Sequence, residues 1–235
     1  MLRIKAPDVH WAQWVWNKAI PKRVSVAMWK ALSGSLSVDS SIRKVGIAIA
    51  SKCNCCLVGH DKNTDHVLST GDFADEVWKK LSHYLGLQWR SKQGWWERVQ
   101  LWCARAKRST QLGCLLGMLP CLITWRLWVR RCRARMEGKN ETVQEVVTSI
   151  KFWLQQMAYS IKKVRALSSH DARILSDLDI PCVMPRQRQT RMITWRRPRA
   201  GRVKLNVDGC SFGNPNPSGR GGVIRDEFGK VRGGY

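Results

Sequence analysis

The chain has 235 residues and carries 41 Lys and Arg against 17 Asp and Glu, a formal net charge of +24. Hydrophobic residues make up 44% of the sequence and 13 residues are Trp, which is enough apolar material for a core and argues against global disorder. The charge favours a polyanionic partner, most simply nucleic acid. The alternative is that unselected coding sequence has drifted basic.

The cysteine count and the N-terminal residues indicate the compartment. Nine Cys is an odd number, and the residues after Met1 lack the apolar segment of a secretory signal. We therefore expect an intracellular protein, not a secreted one, with reduced thiols. The long uncharged run over 112–125 is interrupted by Pro120 and is shorter than the ~20 apolar residues that a bilayer requires. It predicts a buried helix and no membrane partner.

Residues 8–90 are predicted to form a helical domain. Apolar residues recur there with helical spacing, and Pro, Gly and Asp residues mark the expected boundaries. The predicted helices begin near Trp11, after Pro21 and after Val38. Asp72 is the predicted cap of a further helix, which carries an apolar stripe of Phe73, Val77, Leu81 and Leu85. Residues 53–65 are predicted as a loop.

Three further regions follow. Residues 91–170 are predicted as a helical connector, in which Pro120 divides the longest helix into two pieces. Residues 171–201 lose the helical periodicity and gain prolines and arginines, so they predict a basic tether. Residues 202–235 are predicted as strand, Gly/Pro loop, strand, tight turn and strand. The predicted fold class is therefore α+β.

A candidate zinc site lies in the first region. Cys53 and Cys56 form a C-x-x-C pair whose turn lets two thiolates reach one metal, and His66 follows ten residues later. A closed tetrahedral site needs a fourth ligand, for which Cys55 and His60 are geometric candidates. Three ligands alone favour a metal-free remnant over a loaded site.

The surrounding segment, Trp14–Trp78, resembles the zinc-binding region of plant non-LTR retrotransposon reverse transcriptases. The residues that carry the resemblance are Trp14, Ile20-Pro21-Lys22, Trp29-Lys30-Ala31-Leu32, Cys53, Cys56, His66, Phe73-Ala74 and Val77-Trp78. In that family a second Cys usually follows the His by five positions, and Gly71 stands there in this chain.

A second motif lies near the end of the chain. The pattern D-G-x-x-x-G-N-P-x-P-x-G begins at Asp208, and it resembles the opening of the type 1 ribonuclease H domain. The resemblance implies hydrolysis of the RNA strand of an RNA–DNA hybrid by two Mg²⁺ ions, with Asp208 as one of four metal-binding carboxylates. It also implies nucleic-acid contacts from Gly209, Cys210, Ser211 and Asn214.

The other carboxylates of that family lie after the third strand and cannot be assigned in this sequence. Asp226 and Glu227 fall at a predicted turn. We therefore expect the first three antiparallel strands of an incomplete ribonuclease H-like α/β fold, truncated and catalytically inactive.

The basic run before these strands is a third candidate site. Eight basic residues, including Arg196 and Arg197, lie from Arg186 to Lys204 without an acidic one, and Trp195 lies among them. Such an arm can bind phosphates and stack on a base. A solvated linker and a nuclear import signal are the alternatives.

The sequence thus predicts a retroelement-derived, ribonuclease H-family protein that binds nucleic acid. One alternative is a non-catalytic, basic nucleic-acid-binding remnant, and another is a pseudogene product with no selected function. The oligomeric state stays open.

Overall fold

Helices occupy the first part of the described chain and strands occupy the last. The computed structural model describes residues 11–51, 53, 56, 61–185, 194–211 and 217–235. Among them the helices are α1 Ala12–Val15, α2 Lys22–Leu32, α3 Asp39–Lys44, a π-helix His66–Thr70, α4 Asp72–Tyr84, α5 Trp95–Arg105, α6 Gln111–Met136, α7 Val143–Ala158 and α8 Ser169–Asp177. The strands are β1 Lys204–Ser211, β2 Ser218–Arg225 and β3 Val231–Gly234. This mixture confirms the α+β class.

The chain divides into two compact units, Met1–Arg186 and Gln187–Tyr235. In the first unit the two predicted helical domains, 8–90 and 91–170, contribute side chains to one apolar core cluster. The structure thus divides the chain into one helical unit and one sheet unit. The finer division into four parts stays a prediction.

Local chemistry sets several helix boundaries. Pro21 precedes α2, and Gly34 ends that segment with φ of +66°, a conformation that favours glycine. Thr142 and Glu145 form a capping box at the start of α7. The predicted cap at Asp72 is wrong by one residue, because Gly71 occupies the cap position and Asp72 begins α4.

Helix α6 is the centre of the helical unit, where it packs against α1, α2, α5, α7 and α8. Its glycine at position 117 permits close approach of α1, because a Cβ built there would overlap the Trp14 indole. The prediction of two pieces is wrong, since a single helix runs through Pro120. Packing on several sides offsets the ~3 kcal/mol that an interior proline costs.

By length and composition alone, α6 is apolar enough to cross a membrane, with a mean hydropathy of 1.6 over its most apolar stretch. In the structure 78% of that stretch is buried against other parts of the protein. Burial of this kind is typical of a core helix, as predicted for the uncharged run.

Helix α8 lies where the sequence predicts a tether. Ser168 caps it by accepting a hydrogen bond from the Asp171 N–H at 3.0 Å, and Ile174 and Leu175 are buried. These two buried side chains dock the short helix on the core. They are too few to produce a clear helical periodicity in the sequence.

The three predicted strands are confirmed. They form an antiparallel sheet in the order β1-β2-β3, with Lys204 opposite Arg225 and Asp208 opposite Gly221. Because side chains alternate along a strand, Lys204 and Asp208 lie on one face of β1, while Leu205 and Val207 lie on the other.

Candidate metal centre and nucleic-acid interface

The structure brings the three predicted zinc ligands together. His66 begins the π-helix, and the ligand atoms of Cys53, Cys56 and His66 all lie within 4.8 Å of one another. The Cys56 Sγ atom is 3.4 Å from the His66 Nε2 atom. Standard Zn–S and Zn–N bonds at a tetrahedral angle separate two such ligand atoms by ~3.5 Å, so the three residues fit one zinc ion.

Backbone hydrogen bonds hold this group in place. The His66 N–H donates to Asn63 Oδ1 at 2.7 Å, and the Gly71 N–H donates to the His66 carbonyl at 3.0 Å. The Asp72 N–H, in the first turn of α4, donates to Cys56 Sγ at 3.4 Å. A sulfur at a helix N-terminus is well placed to be a thiolate ligand. Without metal, burial raises the pKa of the Cys56 thiol to about 12, so metal binding must displace its proton.

Gly71 borders the group at the place where the resembling family carries a Cys. A Cβ built on Gly71 would lie 3.2 Å from His66 Nε2 and 2.5 Å from the His66 carbonyl oxygen. Gly71 therefore supplies no ligand at a position that directly adjoins His66. The other two candidates, Cys55 and His60, lie outside the described residues.

A cavity of about 390 Å³ opens beside the metal group. All three ligands and Gly71 border it, and its wall also carries four cationic side chains, those of Lys62, Arg130, Arg131 and Arg135. Sequence reasoning missed these arginines, although the run from Arg130 to Arg135 in one helix is a visible signal.

Among the described residues that line this cavity, Asp39 is the acidic one, and it is buried. It accepts hydrogen bonds from Ser51 Oγ at 3.0 Å and from Arg131 at 2.7 Å, and it also pairs with Arg135. Burial raises the pKa of Asp39, but these hydrogen bonds and charges outweigh it and hold the pKa below its ordinary value. Asp39 therefore stays ionised and fixes both arginines at the cavity wall.

The predicted ribonuclease H residues lie on β1. Asp208 is exposed, and its Oδ1 accepts a hydrogen bond from the Gly209 N–H at 2.8 Å. Gly209, Cys210 and Ser211 continue the same exposed strand, whereas Asn214 lies outside the described residues. In the part of the chain that the structure describes, Asp208 is the acidic residue of the groove of about 990 Å³ beside this strand.

Trp195 lies over the same face of the sheet as Asp208. Its Nε1–H donates to Asn206 Oδ1 at 3.2 Å, and its ring lies 5.3 Å from Lys204 Nζ and 5.9 Å from the Arg225 guanidinium carbon. We call these four residues the Trp195 face. Sequence reasoning identified Trp195 within a basic arm but missed Arg225, which only strand register brings to the ring. The predicted contact residues Arg196 and Arg197 are exposed directly after Trp195.

The remaining carboxylates of the sheet unit stabilise turns. Asp226 accepts hydrogen bonds from the Phe228 and Lys230 N–H groups and from Arg232 Nε at 2.7 Å. Glu227 accepts one from the Gly201 N–H. Both are turn residues, as expected from the sequence, and neither lines the groove beside Asp208.

The described residues thus define an α+β chain with a Cys-Cys-His group in a helical unit and a carboxylate on a basic sheet. Residues 1–78 match the family described as zinc-binding in reverse transcriptase. The chain is also 25% identical, over 224 residues, to an Arabidopsis thaliana protein named "Putative ribonuclease H protein". The match covers 94% of this chain and 33% of that relative, so the chain spans about a third of the relative's length. No solved structure matches the chain.

These matches confirm the resemblance found in the sequence. Residues 1–78 are similar to the reverse-transcriptase zinc-binding family, and most of the chain is similar to part of a protein named for ribonuclease H.

Proposed function

We propose that this chain is the nucleic-acid-binding region of a retroelement-derived, ribonuclease H-family protein of a plant. The observation that carries the proposal is the Trp195 face, where an aromatic ring, two cations and an amide lie beside Asp208. A ring of this kind stacks on a base, and cations beside it contact the flanking phosphates. An RNA–DNA hybrid is the ligand that the ribonuclease H resemblance favours.

We further propose that the 235-residue chain by itself binds a hybrid without hydrolysing it. Two-metal hydrolysis needs several carboxylates around a pair of ions ~4 Å apart. In the described sheet unit Asp208 stands alone in its groove, since Asp226 and Glu227 are hydrogen-bonded within turns. A single exposed carboxylate holds Mg²⁺ weakly, because this ion needs several oxygen ligands besides its waters.

The Cys53, Cys56 and His66 group is proposed to hold zinc in a structural role. Three donors within 4.8 Å support this, and the ion would tie the segment around Cys56 to the start of α4. With three protein ligands we expect weaker binding than in a four-ligand site, and hence less than one zinc per chain after purification.

Fluorescence anisotropy with labelled RNA–DNA hybrid at several salt concentrations tests the binding proposal. The double variant Lys204→Ala/Arg225→Ala should reduce the log–log salt slope by roughly 2, since each phosphate contact contributes about 0.9. Trp195→Ala should weaken binding by ~1–3 kcal/mol through lost stacking.

A matched control removes the same charge elsewhere in the sheet unit. Arg199 and Arg202 are exposed and do not line the groove beside Asp208. The double variant Arg199→Ala/Arg202→Ala should bind more tightly than Lys204→Ala/Arg225→Ala. Equal losses in the two double variants would contradict a defined interface and would leave only diffuse charge attraction.

A further inference from the structure

Among the described residues, the group of Cys53, Cys56 and His66 has no fourth protein ligand at position 71, which borders a cavity. Cys53, Cys56, His66 and Gly71 all border the same space of about 390 Å³. A Cβ at Gly71 would lie 3.2 Å from His66 Nε2, so a side chain at this position would reach the group from the cavity side. Because residue 71 is glycine, it has no side chain to occupy the space between the cavity and His66.

The wall of this cavity is strongly cationic. Among the described residues, Lys62 and the arginines at positions 130, 131 and 135 line it, and Asp39 is the carboxylate beside them. Asp39 pairs with Arg131 and Arg135, yet each guanidinium has five N–H donors and a carboxylate satisfies only some of them. Arg130 is held over the Phe73 ring at 3.9 Å from the ring centre. The described part of the cavity wall therefore presents fixed guanidinium donors and more cations than carboxylates.

We propose that Cys53, Cys56 and His66 hold a zinc ion with one coordination position open to this cavity, and that the arginine-lined wall places a phosphate oxygen there. The proposal rests on the zinc binding proposed above. Three protein ligands with an exchangeable fourth position are a common zinc arrangement. The two thiolates cancel the charge of Zn²⁺. The positive charge that attracts an anion therefore comes from the lysine and arginines of the cavity wall.

Phosphate is the ligand class that this wall favours. Guanidinium groups bind phosphate with two parallel hydrogen bonds, and arginine is the preferred partner where planar recognition is needed. A cavity of about 390 Å³ is within the range of small-ligand sites. The phosphate can be an inorganic ion or part of a nucleic acid, and the two sources share this chemistry.

Absorption spectroscopy of the full chain loaded with Co²⁺ in place of Zn²⁺ tests the proposal, because the visible bands of Co²⁺ report its ligands directly. We expect the bands to shift and saturate when inorganic phosphate is added. Parallel titrations use a short oligonucleotide with and without a 5′-phosphate. If the phosphorylated strand gives the stronger response, the bound group is a terminal phosphate. If the two strands respond equally, the bound group is a phosphodiester of the backbone.

Arg130→Ala should weaken the phosphate response about tenfold, the effect of losing a charged hydrogen bond. Lys92→Ala is the matched control, because Lys92 lies near His66 and Thr70 but does not line the cavity. If Co²⁺ binds but its absorption bands do not change when phosphate is added, the phosphate proposal is wrong while the zinc proposal stands. Failure of Co²⁺ to bind would overturn the zinc site, and this proposal with it. An equal loss in both variants would also overturn it.

Discussion

Asp39 and Arg131 form a buried ion pair of 2.7 Å although they lie 92 positions apart in the sequence. Asp39 is in the first turn of α3, and Arg131 is in α6, so the pair joins the segment before the metal group to the central helix. Arg135 binds the same carboxylate. The positions of these two arginines in the cavity wall thus depend on the Asp39 carboxylate.

Asp39→Asn should therefore lower the free energy of unfolding of the helical unit by about 3 kcal/mol, because it leaves the largely buried Arg131 charge without its partner. Urea unfolding followed by circular dichroism measures this. Asp61→Asn is the control, since Asp61 pairs with Arg43 at an exposed position, where an ion pair contributes about 0.5 kcal/mol. Similar losses in both variants would contradict a structural role for the Asp39 cluster.

The lowered pKa of Asp39 predicts that the stability of the helical unit depends on pH. The pKa of Asp39 lies below its ordinary value in the folded protein, so the unfolded chain binds a proton more readily at this residue. Its stabilising contribution is then complete above the unfolded pKa of about 4 and is lost as the pH falls through the lower folded pKa. The difference in stability between the wild type and Asp39→Asn should shrink from pH 7 to pH 3. A constant difference would show that ionisation of Asp39 does not contribute.

Gly71→Cys should raise the zinc content of the purified chain toward one ion, because the new thiol would adjoin His66 Nε2. Gly71→Ser is the matched control, since it adds the same Cβ without a thiol. Both variants should be less stable without metal, as that Cβ comes within 2.5 Å of the His66 carbonyl oxygen. Zinc content measured by elemental analysis should then rise in the Cys variant alone. Equal zinc in the two variants would mean that residue 71 does not face the ion.

The sheet unit should exchange its amide hydrogens much faster than the helical core. Leu205 is 52% exposed and Val207 is 63% exposed, so one face of β1 buries little apolar surface. In α7, by contrast, Val146, Val147 and Ile150 are fully buried. Hydrogen exchange followed by mass spectrometry compares 203–207 and 223–225 with 143–158. Equal protection would contradict a marginally stable sheet.

Periodicity in the sequence predicted the helical core well. Val77, Leu81 and Leu85 of the predicted stripe are buried as expected, and Phe73 is half-buried. These patterns are local, since a helix that packs on a core needs an apolar residue every three or four positions. The three strands were predicted for a similar reason, because turn residues separate short alternating runs.

Features that depend on distant parts of the chain were not predicted. The passage of α6 through Pro120 depends on packing by several other helices, and the docking of α8 depends on a core that is already formed. The contact between Trp195 and Arg225 arises from strand register. The assembly of Cys53, Cys56 and His66 was proposed from their spacing, but the arginine-lined cavity beside them was not.

Electrophoresis of a labelled RNA–DNA hybrid incubated with the chain and Mg²⁺ measures binding on a native gel and cleavage of the RNA strand on a denaturing gel. Binding without hydrolysis predicts a retarded hybrid whose RNA strand stays intact, with retardation lost in Lys204→Ala/Arg225→Ala. Cleavage of the RNA strand that disappears in Asp208→Asn would contradict it, since a second carboxylate of this chain would then have to complete the metal site.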